Sequence, residues 1–342
     1  MPPAPPKIAI VIPYFQRDPG LLKQCVQSIM THMDGIDAEI LVVDDASPIP
    51  AWQEIGELAA EPAHNITIIE QPNAGPAAAR NRGLDAVAPD TPFVAFLDSD
   101  DCWTGPFLSD AVSALNRDYD LFIGNTTRVG IKRSRFDWDA NPKRNLYPEH
   151  HILIDPERET YEFVGDFFDF LVYRTNIIGP SAIAYRFDRF PTTRFQTQLF
   201  QGEDRLFKLA LGQHLGKVAF SPKLYGHEGE GVNIFDKAGW GTEGSLRLAR
   251  NYIAVAKMIL GQITLNTEQQ AHVQEQLSSA RQTFTASLLH LLRHREPVDW
   301  QQVRLTFQDD PATAALLLPN MLRLATNRLS LKTTSADERT PD

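Results

Sequence analysis

From Lys7 to Asn125 short apolar runs alternate with stretches of helical period, and that alternation marks successive βαβ units sharing a mainly parallel sheet. IAIVIP (8–13) is apolar throughout, as a strand covered on both faces must be. Asp18 and Pro19 read as an N-cap and a first helical position. Leu21, Leu22, Cys25, Val26 and Ile29 then recur at helical spacing up to Gly35. EILVVDD (39–45), ITIIE (66–70) and FVAFLD (93–98) are the next strands, each ending in polar or turn residues. A helix is predicted over 76–87, after the tight turn that Gly75 permits.

The pattern is lost between Arg128 and Glu162, a charged, aromatic and proline-punctuated stretch that reads as an insertion or long loop. It returns with a strand at SAIAYRF (181–187), a helix over 203–211 and a strand at KVAF (217–220). The glycine-rich LYGHEGEGVNIF (224–235) reads as a loop near the active site. Beyond Gly244 nearly all is helical, including 267–294 and a last amphipathic piece over 311–331, and the tail from Thr333 has a disordered composition. The expected division is 1–243 as one domain, with halves 7–125 and 126–243, then a helical region over 244–332 and a tail over 333–342.

A chain of 342 residues with 43% hydrophobic and 22% charged residues can bury a sizeable core. Its net charge of -10 lacks the surplus of Lys and Arg needed to grip phosphate backbones, so no nucleic acid partner is expected. The two cysteines, Cys25 and Cys102, sit in packing patterns, which fits a reducing cytoplasm. The start, MPPAPPK, has prolines where a signal peptide needs an apolar run, and no apolar stretch approaches the length of a membrane span. A soluble or peripheral protein follows as the expectation.

The chemistry collects at the carboxyl ends of the strands. In open α/β sheets ligands bind there, so Asp44, Asp45, Asp98, Asp100 and Asp101 should share one rim. The FLDSDD cluster is self-repelling and suits a hard divalent cation held jointly by carboxylates and substrate phosphates. An acidic turn capping a helix from Trp103 would have the same composition. VVDDAS offers a carboxylate to a base imide or a ribose hydroxyl. QPNAGPAAARNRGL sets Arg80 about one turn inside a helix, where a helix N-terminus and a guanidinium can hold a diphosphate.

IPYF, VDDAS, NAGPAAARNRG and FLDSDD, in this order within 8–125, resemble the amino-terminal half of family 2 of the GT-A glycosyltransferases. The resemblance implies an α/β GT-A fold: a Rossmann-like nucleotide-binding half on a mostly parallel sheet, followed here by a helical C-terminal extension. It also implies that Pro13, Tyr14 and Asp45 contact the nucleoside, Arg80 the diphosphate, Asp98 and Ser99 the ribose side, and Asp100 a Mn²⁺ or Mg²⁺ ion. QGEDRLF (201–207) resembles the family's ED pair, which makes Asp204 the catalytic base and puts Glu203 beside the acceptor. Direct displacement by a hydroxyl activated in this way inverts the anomeric centre.

His227 can be a second metal ligand, a phosphate contact or an ordinary loop histidine. Of the aromatics that could stack on sugars, Trp138 and Trp240, in poorly patterned segments, are the preferred acceptor contacts over Trp103, Phe136, Tyr147, Phe167 and Phe168. The opening VIPYFQRDPG and the EGVNIF stretch are similar to bacterial exopolysaccharide glucosyltransferases of the succinoglycan-assembly type. That similarity implies UDP-glucose as the donor and a polyprenyl-diphosphate-linked saccharide as the acceptor, at the inner face of the plasma membrane. Arg323, Arg328 and Lys332 offer a peripheral membrane contact. The competing expectations are a nucleotidyltransferase or a retaining sugar transferase on a similar half, and a noncatalytic carbohydrate-binding protein of the same fold.

Overall fold

The computed structural model describes residues 7–33, 35–137, 145–174, 177–199, 201–229, 241–242 and 244–324. The chain divides into two compact units, Met1–Val232 and Asn233–Asp342. The first unit begins β1 (Lys7–Tyr14), α1 (Leu21–Thr31), β2 (Asp37–Asp44), α2 (Ala51–Ala59), β3 (Ile66–Glu70), α3 (Pro76–Ala86) and β4 (Phe93–Phe96). It continues with β5 (Cys102–Trp103), α4 (Phe107–Asn116), β6 (Leu121–Arg128), β7 (Ile152–Asp155), β8 (Thr160–Glu162), α5 (Phe167–Arg174), β9 (Ile183–Arg186), α6 (Glu203–Gly212) and β10 (Val218–Glu228).

The sheet runs β3-β2-β1-β4-β9-β6-β10-β8-β7, and β5 pairs with β10 off that path. The first four strands are mutually parallel, β9 lies antiparallel between β4 and β6, and β10 is parallel to β6. The strand order reverses beside β1, with β2 on one side and β4 on the other, so the carboxyl ends of β1 and β4 flank a topological switch point. Ile8 to Ile12 of β1 are fully buried, as a continuous apolar run covered by helices on both faces predicts. Helix α3 lies so close to β1 that a Cβ on Gly83 would stand 2.3 Å from Val11 Cγ1, which is why that helical position has no side chain. Cys25 is a buried core residue and both cysteines are free, as their packing patterns imply.

Several local expectations are corrected. The cap of α1 is Gly20, not Asp18, and its N–H donates to the Glu54 carboxylate at 2.8 and 2.7 Å. Helix α4 starts at Phe107; Cys102 and Trp103 form β5, drawn into the sheet by pairing with His227 and Gly226. The supposed loop over 128–162 contains a hairpin, β7 and β8, that extends the sheet from β10. Its strands are too short to show a period. Residues 224–228, expected in a loop, are the end of β10, where bulges between Ser221 and Gly226 interrupt the alternation.

The second unit contains α7 (Ser245–Gln262), α8 (Thr267–His294), α9 (Trp300–Asp309) and α10 (Pro311–Ala315). Asn266 and Gln269 form a reciprocal capping box that starts α8 at Thr267. Buried Asp310 accepts from both Arg281 Nε and Nη2 at 2.8 Å and from Thr313 Oγ1 at 2.6 Å, joining α8 to the start of α10. Among the described residues no helix is long and apolar enough to cross a membrane.

Candidate active site

The carboxyl ends of β1, β2 and β4 deliver a layered rim. At the end of β2, buried Asp44 accepts from the Ser47 and Ala51 amides at 2.8 and 2.7 Å and so shapes the turn into α2. Asp45 accepts from Gln71 Nε2 and the Ala74 and Gly75 amides at 2.7 to 2.8 Å, and its own carbonyl accepts from Asn73. The loop that leads into α3 is therefore folded around Asp45. Pro13 and Tyr14 end β1, in register with Val43 and Asp44. Burial pushes the Tyr14 phenol up to about 12, so it stays a neutral hydroxyl.

The FLDSDD turn is built differently. Its backbone closes through the Asp101 amide on the Asp98 carbonyl at 2.9 Å, and Ser99 accepts from buried Gln16 at 3.1 Å. Ser181, just before β9, clamps the turn: its hydroxyl accepts from the Asp98 amide and donates to Asp101 Oδ2. Asp101 Oδ1 accepts from the Gly229 amide at 2.9 Å. Any Cβ on Gly229 would meet the Asp100 carbonyl at 1.9 Å, so only glycine lets the end of β10 come this close. Burial, then the charges of Asp98 and Asp100, push the Asp101 carboxyl well above the usual range. Negative charge is crowded here.

Arg80 spans the rim. Its Nη2 donates to Asp98 Oδ1 at 2.6 Å, its Nη1 donates to Glu203 Oε1 at 3.0 Å, and its guanidinium lies 5.2 Å from the Phe195 ring centroid. Burial opposes the cation, but Asp98 and Glu203 hold it charged, above its ordinary value. The side chain is only 4% exposed, so Arg80 links the acidic turn to α6 and does not stand open to solvent. Glu203 is likewise buried and engaged. Burial raises its carboxyl against the lowering effect of Arg80.

Asp204, next on α6, is 32% exposed at its side chain and accepts from Lys208 Nζ at 3.0 Å. Burial works to raise its carboxyl, yet Lys208 and then Arg80 hold it below the usual carboxylate range. Asp204 is therefore an ionised, reachable carboxylate. His227 is exposed at the end of β10, and its Nδ1 pairs with Thr127 Oγ1. Trp138 and Trp240 lie outside the described residues, as do Arg328 and Lys332. Trp103, Phe136 and Phe167 are core, with Trp103 tilted on Phe107 at 4.7 Å and its indole N–H donating to the Ser181 carbonyl.

Among the described residues no group of three His, Cys, Asp or Glu side chains forms a metal cage. A Mg²⁺ or Mn²⁺ ion shared with substrate phosphates needs only one or two protein carboxylates, and the crowded Asp98–Asp101 turn supplies hard oxygens of that kind. The donor set fits such an ion. Lys208, Ser181, Gln16 and Phe195 belong to the site and went unread in the sequence. Only Lys208 carried a signal, its acid–base spacing of four from Asp204 on a helix.

A mixed, mostly parallel sheet with a carboxylate-lined switch point, continued through antiparallel β9 into a second half, is the architecture of the GT-A fold. The profile of Glycosyl transferase family 2 matches residues 9–178. The succinoglycan biosynthesis protein ExoW of Rhizobium meliloti is 33% identical over 235 residues, 67% of this chain and 70% of that protein. The chain belongs to glycosyl transferase family 2. Solved structures share the fold. The mannosyltransferase PcManGT from Pyrobaculum calidifontis, in complex with GDP-Man and Mn²⁺, aligns at TM-score 0.52 and 16% identity, over 94% of this chain and 84% of its own. S. aureus TarS 1–349, in complex with UDP-GlcNAc, aligns at TM-score 0.50 and 19% identity, over 84% of this chain and 73% of its own.

Proposed function

We propose that this glycosyltransferase is an inverting, metal-dependent hexosyltransferase that moves glucose from UDP-glucose to a hydroxyl of a polyprenyl-diphosphate-linked saccharide, in exopolysaccharide assembly at the inner face of the plasma membrane. The observation that carries the reading is that an ionised, reachable Asp204 follows Glu203 on α6, and Glu203 is joined by Arg80 to Asp98 of the acidic turn. ExoW, named for succinoglycan biosynthesis, supports the exopolysaccharide assignment. TarS with UDP-GlcNAc and PcManGT with GDP-Man and Mn²⁺ support a nucleotide-sugar donor and a divalent ion.

In this reading Pro13 and Asp45 border the nucleoside, Asp98 and Ser99 the ribose, and Asp100, with His227 near the same strand end, the metal; Tyr14, expected at the nucleoside, is a fully buried core side chain. A bound divalent ion would neutralise charge on the departing diphosphate. Arg80, buried between Asp98 and Glu203, orients those two carboxylates and does not itself reach the diphosphate. Asp204 takes the acceptor hydroxyl proton as that oxygen bonds to the anomeric carbon. The bond from that carbon to the diphosphate oxygen breaks with inversion, and UDP leaves with the electron pair. Glu203 keeps Arg80 in place on the acceptor side.

The test is calorimetry of UDP, GDP, dTDP and CMP on the purified protein, with and without Mn²⁺. Selective binding of UDP that requires Mn²⁺ is expected. Equal binding of all four, or binding indifferent to the metal, would overturn the donor and cofactor assignment.

A further inference from the structure

The buried cation beside Asp204 has a second partner. The Lys208 side chain is 6% exposed, yet Nζ donates both to Asp204 Oδ2 at 3.0 Å and to the carbonyl oxygen of Ile178. Lys208 lines a small apolar void together with Leu121, Phe167, Leu171, Ile178, Ile183 and Leu211. An aliphatic side chain would satisfy that wall, and burying an ammonium is costly unless it is paired. What an aliphatic residue would lose is the link between α6 and the Ile178 backbone. Ile178 lies just ahead of Ser181, whose hydroxyl clamps both Asp98 and Asp101. Lys208 therefore ties Asp204 to the segment that shapes the acidic turn, on a route separate from the Arg80–Glu203 bridge.

We infer that Lys208 is a positioning residue of the transfer reaction, fixing the Asp204 carboxylate relative to the Asp98–Asp101 turn so that an acceptor hydroxyl and the donor meet in line. The inference rests on Asp204 being the base. Two consequences separate it from a merely structural lysine. The first is geometric: loss of the strut loosens the base without touching the donor, so kcat falls while KM for the donor stays. The second is electrostatic. The charged groups facing Asp204 are Lys208, Arg80, Glu203 and Arg205, and burial opposes its ionisation. Without Lys208 the largest opposing charge is gone, so the carboxyl titrates higher and the acid limb of the rate profile moves to higher pH.

The experiment compares wild type, Lys208→Met, Lys208→Arg and Asp204→Asn. UDP release from UDP-glucose with Mn²⁺ is followed against pH, water serving as acceptor, and the Asp204 carboxyl is titrated by ¹³C NMR. Lys208→Met is expected to lower kcat by about 10- to 100-fold, with KM for UDP-glucose changed by less than about twofold. Its acid limb should move up, and Lys208→Arg, which restores the charge, should recover part of both. If Lys208→Met fails to fold, the wild-type titration decides by itself: the Asp204 carboxyl should titrate below 3.8, the ordinary value, and titration at or above it overturns the inference. Wild-type kcat and acid limb in Lys208→Met would also overturn it, provided Asp204→Asn is inactive. Activity in Asp204→Asn would instead remove the base assignment on which it rests.

Discussion

Two acidic turns stand at the same rim of the sheet and are stabilised by opposite means. In the first, Asp44 and Asp45 are buried and accept from backbone amides and the Gln71 carboxamide, so each carboxylate helps to shape its own loop. In the second, the charges of Asp98 and Asp100 act on Asp101, and Ser181 and the Gly229 amide offset only part of that effect and of burial, leaving the Asp101 carboxyl raised. Similar strings, VVDDAS and FLDSDD, thus encode a scaffold in one place and a charge deficit in the other. The lesson is that what matters at a strand end is which donors the rest of the fold brings to the carboxylates. A carboxylate saturated by amides builds structure, whereas one crowded by its own kind is where the proposed divalent ion would relieve repulsion.

Substitutions should break that symmetry in both directions. Asp100→Ala is expected to lower turnover by about 100-fold and to abolish the expected Mn²⁺ dependence of UDP binding, with calorimetry as the check and little loss of stability. Asp44→Ala should do the reverse. It leaves two buried amides without acceptors, costs about 2–4 kcal/mol in urea unfolding, and spares metal-dependent UDP binding in the folded fraction.

Asp310 of the helical unit extends the saturated type. Burial would raise it, but Arg281 and Thr313 hold it at about 2, against an ordinary 3.8. A carboxyl lowered on folding stabilises above its unfolded pKa, so about 2 kcal/mol should be present above pH 4 and lost as pH falls toward 2. Acid unfolding of Asp310→Asn should lack that component. The smallest effect is expected for Gly83→Ala, where better helix propensity partly offsets the clash with Val11. About 1 kcal/mol is lost in thermal unfolding, at the α3–β1 contact and not at either turn.

Much of this was legible in the sequence because the parallel half is written in continuous apolar runs. Ile66–Glu70 and the start of α3 at Pro76 fall where periodicity puts them. The second half was harder to read for physical reasons. The β7–β8 hairpin is built from strands too short to show alternation, and the end of β10 is bulged, so Leu224 to Glu228 look like a glycine loop. Arg80 was visible as a functional position, but its engagement on Asp98 and Glu203 depends on residues 18 and 123 positions away. Ser181 has no linear signal at all; its role exists only once β9 enters the sheet beside β4. Lys208 did have one, the spacing on α6, hidden because such pairs are common on solvated helix faces.

If the acidic turn holds the donor while Asp204 activates the acceptor, binding and turnover separate at a single residue. The most direct measurement is UDP-glucose binding by calorimetry with Mn²⁺, paired with UDP release, in wild type and Asp204→Asn. Equal binding is expected, with release lost by about 1,000-fold or more in the variant; release at the wild-type rate would rule out Asp204 as the base.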